Sequence, residues 1–188
     1  RRRHSVAMLR FAEEARAGLE GAERATWLDT IEAELGNIRS ALASSERADQ
    51  AEYRLRLVSA LDQYWAARGP VAEIVEVLRL GLVHVESAEV RADALRPYSW
   101  FLTDTGDLDG ARAAAEERRA LCEALGDARG VVGAIGTLAD ISERQGEIEQ
   151  AGVLFEQAAE LGRAAGAVHT LTNLGGFPAT NFRVSFEL

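Results

Sequence analysis

Asp107, Asp109, Gly110 and Glu116 fall at the third, fifth, sixth and twelfth places of a loop counted from Thr105. That spacing is the one an EF-hand uses to wrap oxygens around calcium. The first place holds Thr105, where such a loop needs a carboxylate. The competing reading is a tight turn between two helices, and it requires a second example in the chain. One exists. GDLDGA at 106–111 is matched by GEIEQA at 146–151, 40 residues on, and more loosely by GPVAEI at 69–74, 37 residues earlier. The turn is the preferred reading, and calcium binding is the minor alternative.

The other reactive side chains do not assemble into a catalytic pattern. His4, His84 and His169 have no metal-ligand spacing on one helix, and no cysteine stands near them in sequence. Cys122 sits between Leu121 and Leu125 on an amphipathic segment and reads as a small buried filler. Ser44-Ser45 and Ser99 lack a His or Asp at a motif spacing. Glu13-Glu14, Glu116-Glu117 and Glu147/Glu149 alternate with Arg as solvated helix faces do. The expectation is a non-catalytic chain with no cofactor and no metal. An enzyme stays a distant third, since helical enzymes can hide their sites.

The elements that must carry these residues are helices. Apolar residues make up 47% of the 188 positions, but aromatics only 6% and prolines 3. An apolar fraction built from Ala, Leu and Val suits close-packed helices better than a β-sandwich. Formal net charge is −9, which argues against a nucleic-acid surface. The basic cluster Arg1, Arg2, Arg3 and Arg10 is weak as a DNA arm. Every basic residue other than His is Arg, and with so much Ala and Gly this suggests a high-GC bacterial genome. The single cysteine excludes an internal disulfide and fits a reducing cytoplasm. No apolar run could span a bilayer and no signal peptide is visible. The start at Arg1 suggests a piece of something longer.

Helical periodicity predicts helices near 5–19, 24–45, 49–68, 71–87, 90–105, 108–125, 129–145 and 148–165, with a partial one from 168. The breaks carry Gly21, Asp49, Gly69-Pro70, Gly106-Asp107, Gly126-Asp127, Gly146-Glu147 and Gly166. The repeat extends beyond the turns. Leu61, Tyr98 and Leu138 precede their glycines by eight residues, and Tyr64, Phe101 and Ile141 by five. Leu78, Ala115 and Phe155 follow by nine. Such offsets put apolar residues on the facing sides of paired helices. A two-helix repeat of this length is the signature of a helical solenoid. Leu138-Ala139, Gly146, Ala151, Phe155 and Ala158 stand where the tetratricopeptide (TPR) repeat wants its conserved set. The expected fold is all-α, a TPR-like right-handed superhelix of antiparallel hairpins over 1–175. FPATNFRVSFEL breaks the pattern at Pro178, so 176–188 is expected to be an irregular tail, extended, disordered or non-native.

Three stretches carry a family resemblance. RRRHSVAMLRFAEEARAGLEG, WLDTIEAELGNIRSAL and LRLVSALDQYWAARGPVAEIVEVLRLGL resemble the helical region after the ATPase module of large bacterial LuxR-type and AfsR-type transcriptional regulators. The matching positions are Arg3-His4, Trp27-Leu28, Glu34, Asn37-Ile38-Arg39, Ala41-Leu42, Tyr64-Trp65 and Arg68-Gly69. The resemblance implies a multidomain regulator with a nucleotide-binding module and a helix-turn-helix domain elsewhere. In it this region would sense a partner or restrain the ATPase module. The chain itself has no GxxxxGK[ST] loop, having no lysine, and no basic recognition helix.

Trp27 and Trp65 are expected as core anchors. Trp100 counts to an inward, groove-facing position of a TPR-like first helix, with Arg96 and Asp104 one turn away on either side. Asp140 and Arg144 take corresponding positions in the next repeat. Arg96, Trp100, Asp104, Asp140 and Arg144 are therefore the candidate partner-binding residues, since Trp and Arg anchor such surfaces. The alternative, Trp100 in the core with the charges solvated, stays open. The expected function is interaction with a protein partner or with the parent's own ATPase module, without direct nucleic-acid contact. The alternatives are a generic TPR-like scaffold and a small-molecule sensor.

Overall fold

The computed structural model describes residues 2–45 and 50–164, with side chains from Ser5 onward. Nine helices and no strand are found among the described residues. They are α1 (Arg2–Leu19), α2 (Arg24–Ala43), α3 (Ala51–Ala60), α4 (Asp62–Arg68), α5 (Val71–His84), α6 (Ala88–Thr105), α7 (Leu108–Leu125), α8 (Ala128–Arg144) and α9 (Ile148–Ala164). The partial helix expected from 168, His169 and the tail 176–188 lie outside the described residues.

The question of Thr105–Glu116 is answered by the backbone. Only Gly106 and Asp107 separate α6 from α7, so most of the supposed calcium loop is helix. Gly106 takes a left-handed conformation at φ 90°. The Asp107 amide donates to the Leu102 carbonyl at 3.0 Å and the Gly106 amide to Thr103 at 3.3 Å, the Schellman pattern that satisfies the last carbonyls of a helix. The Asp107 carboxylate then accepts the Gly110 amide at 3.0 Å and caps α7. The same device recurs at Gly126-Asp127, where Asp127 caps α8 through Gly130. The backbone part recurs again at Gly146-Glu147.

One expected helix is in fact two. The apolar pattern over 49–68 predicts a continuous helix, but the chain breaks at Leu61, whose φ is −107° and ψ 18°. Side chains from inside and outside the segment meet the backbone there. Arg16 of α1 donates to the Ser59 carbonyl at 3.1 Å. The Trp65 indole Nε1 donates to the Val58 carbonyl at 3.1 Å. The Gln63 amide is taken by the Asp62 carboxylate at 2.7 Å. The Ser59 and Val58 carbonyls and the Gln63 amide thus have side-chain partners at the break.

The packing is mostly between neighbours in sequence. The α6–α7, α7–α8 and α8–α9 pairs each pack closely, as short joins demand, and α6 also touches α8. The N-terminal part is tied differently: α3 packs on α1, α5 and α6. The largest apolar cluster fills that half around Leu55, Leu57, Tyr64, Trp65, Leu78 and Phe101. Trp65 is buried there as expected, while Trp27 is only half-buried and leans on Phe11 at a ring distance of 6.2 Å. Towards α9 the core thins to small clusters of Leu102, Ala111, Ala115, Leu138 and Ile141, then Val132, Ile135 and Ala158.

Candidate functional site

The five candidate residues lie on α6 and α8, two helices that touch. Arg144 donates to Asp104 at 3.3 Å, an ion pair bridging the two helices across one repeat. Both side chains are exposed, so this pair sets local register more than stability. Trp100 is half-buried and stacks on Phe101, with ring centroids 5.3 Å apart and planes 24° off parallel. It packs against the main core while keeping part of its surface outside. It thus combines features of both readings of it.

Arg96 is the candidate whose surroundings differ most from a solvated groove charge. Its Nη1 lies 2.5 Å from Oδ2 of Asp62, a carboxylate only 2% exposed. The approach is an ion pair and does not meet the angles of a hydrogen bond. Arg96 thereby ties α6 to the start of α4, beside the break at Leu61. Its guanidinium remains about one-third exposed at 34%.

Asp140 is half-buried on α8. Burial pushes its pKa from 3.8 up to about 6; neighbouring Glu143 adds to the rise and Arg144 opposes it. The sign follows directly. A carboxyl whose folded pKa is raised holds its proton more tightly in the native state, so stability is greatest below about pH 4 and falls as pH rises towards about 6. Above that window the loss is complete. Asp140→Asn should remove this slope and stabilise the chain near pH 7.5 by on the order of 2 kcal/mol. Urea unfolding of both proteins between pH 4 and pH 8 checks it: parallel curves for the two would refute the assignment.

Arg118 and Asp62 are the groups that sequence reasoning missed. Arg118 lies on the buried stripe of α7 with Ala111, Ala114, Ala115 and Cys122, and is itself 8% exposed. Burial lowers its pKa, and the nearby Arg96 lowers it further. A charged residue at the i, i+3, i+4, i+7 positions of an apolar stripe was the available signal. Cys122, one turn on, is buried as expected, and burial raises its pKa, so its thiol is held away from the reactive thiolate form.

An open cleft of ≈ 420 Å³ lies where α7, α8 and α9 meet, edged by Arg112, Glu116, Arg119, Leu138, Gln150 and Leu154. Arg112 is held there by Glu147 at 2.6 Å. No group of His, Cys, Asp and Glu able to hold a metal occurs among the described residues. No described helix is long and apolar enough to cross a membrane. Compared with known proteins, the chain matches no family model and no curated protein.

Proposed function

We propose that this chain is a non-catalytic interaction module, a TPR-like right-handed superhelix in which successive hairpins present α6 and α8 to a partner. The supporting observation is the α6–α8 pair itself. A partly uncovered tryptophan, an inter-helix ion pair and a half-buried carboxyl lie on two helices joined through α7 by two similar turns. Aromatic and arginine side chains beside partly desolvated charges are what anchor protein contacts. The resemblance at Arg3-His4, Trp27-Leu28 and Tyr64-Trp65 supports reading such a module as part of a multidomain transcriptional regulator, with a second protein or the regulator's own ATPase module as the partner. Partner binding would shift the regulator between states by its differential affinity for them.

The test compares the wild-type chain and Trp100→Ala as baits in lysate of source cells, with mass-spectrometric identification. Proteins captured by wild type and depleted about tenfold or more with Trp100→Ala are expected, because a hot-spot aromatic contributes about 2 kcal/mol. Equal capture by a variant with an unchanged helical circular-dichroism signal removes the α6–α8 reading. A second reading, a small-molecule sensor, rests on the cleft beside Arg112, whose ≈ 420 Å³ lies within the size range of ligand sites. Thermal stabilisation by a metabolite pool, without captured protein, would favour it.

A further inference from the structure

The contact between α6 and α8 offers one cation to two carboxyl groups. Arg144 of α8 donates to Asp104 of α6 at 3.3 Å, a single contact between residues 40 apart in the chain. Asp140 stands on α8 one turn before Arg144, the i, i+4 order in which an acid and a base on one helix attract each other. The two acids differ in their surroundings. The Asp104 side chain is 39% exposed and keeps its water. Asp140 is half-buried and holds its proton up to about pH 6, chiefly because burial disfavours its charge. Glu143 adds to that effect and Arg144 opposes it. The other charges directed at this region are engaged elsewhere. From α6, Arg96 and Asp93 are taken by Asp62 and Arg16. From α7, Arg112 is taken by Glu147, and Arg118 lies against Gly133. On α9, Glu149, Glu156, Glu160 and Arg163 are exposed and are not among the charges that act on Asp140.

While Asp140 is neutral it has little hold on Arg144, and the guanidinium is free to reach Asp104. Once Asp140 ionises, a carboxylate short of water stands one turn from the same guanidinium. Magnitudes decide which acid wins. An exposed ion pair contributes about 0.2–1 kcal/mol, and Asp104 on losing it is simply hydrated. A partly desolvated carboxylate gains more from a cation, because less water competes for it. We propose that Arg144 is the moving part of a pH-sensitive clasp: it bridges α8 to α6 through Asp104 while Asp140 is neutral, and turns back along α8 to Asp140 when that carboxyl ionises. Asp140 releases one proton to solvent in this exchange, and Arg144 stays protonated in both arrangements. The bridge is lost beside Trp100, which lies one turn before Asp104 and keeps part of its surface outside. The clasp goes beyond the interaction reading and does not depend on it, since the exchange belongs to α6 and α8 whether or not a partner binds.

The experiment is an NMR titration of the whole chain from about pH 4 to about pH 8, following the carboxyl carbons of Asp104 and Asp140 and the guanidinium carbon of Arg144. In the wild type the Arg144 resonance is expected to move with the midpoint of Asp140, about 6, and to lose that movement in Asp140→Asn. Asp104→Asn removes the competing acid, so Asp140 should ionise more readily, its midpoint falling by about half a pH unit, a change of about threefold in proton affinity. That fall should disappear in the Arg144→Gln background, because it is transmitted through the guanidinium. Asp104 and Arg144 are exposed, so their variants keep the fold, and helical circular dichroism before each titration checks this. An Asp140 midpoint at the ordinary carboxylate value of about 4 overturns the clasp. So does an Arg144 resonance that ignores Asp140, or a midpoint that Asp104→Asn leaves unchanged. A fall of equal size with and without Arg144 overturns it as well, since Asp104 would then act on Asp140 through space with no exchange of the cation.

Discussion

Replacing Trp65 with Ala is expected to lower the unfolding free energy by about 4 kcal/mol. The indole is 2% exposed and packs edge-on to Tyr64, with ring centroids 5.1 Å apart and planes at 73°. Its Nε1 also donates to the Val58 carbonyl at 3.1 Å, just before the break at Leu61. Two effects therefore add: a large apolar void, and a carbonyl that loses a partner. Trp65→Phe separates them. It keeps much of the packing and removes the donor, and should cost about 1–2 kcal/mol beyond the volume lost. Urea unfolding at constant m reads both values. A cost near zero for Trp65→Phe would show that Trp65 stabilises by packing alone, and that the break stands without its indole.

The second large effect is expected at Asp62. Its carboxylate is buried among cations, paired with Arg96 and close enough to Arg16 to favour that residue's charge. Asp62→Ala leaves Arg96 without its carboxylate partner and should destabilise by about 3 kcal/mol, since breaking a buried pair strands the surviving charge. Arg96→Met in the Asp62→Ala background should recover about 1 kcal/mol or more, because the stranded charge is then removed. A double-mutant cycle measured by thermal or urea unfolding gives the coupling. Additive losses would show that Arg96, a third exposed, simply turns to solvent and that the pair does not tie α6 to α4.

The helix ends at Gly106, Gly126 and Gly146 were legible in the sequence for a local reason. Each needs a left-handed residue, and glycine followed by an acid supplies both the turn and a negative group at the next N-terminus. The break at Leu61 was not legible. The segment LRLVSALDQYWAAR holds an apolar stripe with no Gly or Pro to mark an end. The side chains that meet the backbone there include Arg16, 43 residues before Ser59, beside Asp62 and Trp65 of the segment itself. The candidate site divides the same way. Asp104 and Arg144 stand one repeat apart, so counting along the pattern brought them to neighbouring helices, where they pair. The Arg96–Asp62 contact depends on the break and so could not be counted out. Arg118 was visible as a charge inside the stripe of Ala111, Ala114, Ala115 and Cys122, but reading residue types without assigning them to faces passed over it.

The way the helices are tied together also gives the chain a direction. From α6 onward each helix rests chiefly on the one before it, and α9 closes on α8. The N-terminal half is cross-braced, with α3 held by α1, α5 and α6, and with Arg16 reaching across to Asp93. Pulled or heated, such an object does not fail everywhere at once. Local opening is expected to cost less among α6 to α9, where each helix rests mainly on its neighbour in sequence, than in the cross-braced half. The α6–α8 contact thus stands where the cross-braced half meets the part in which helices rest on their sequence neighbours.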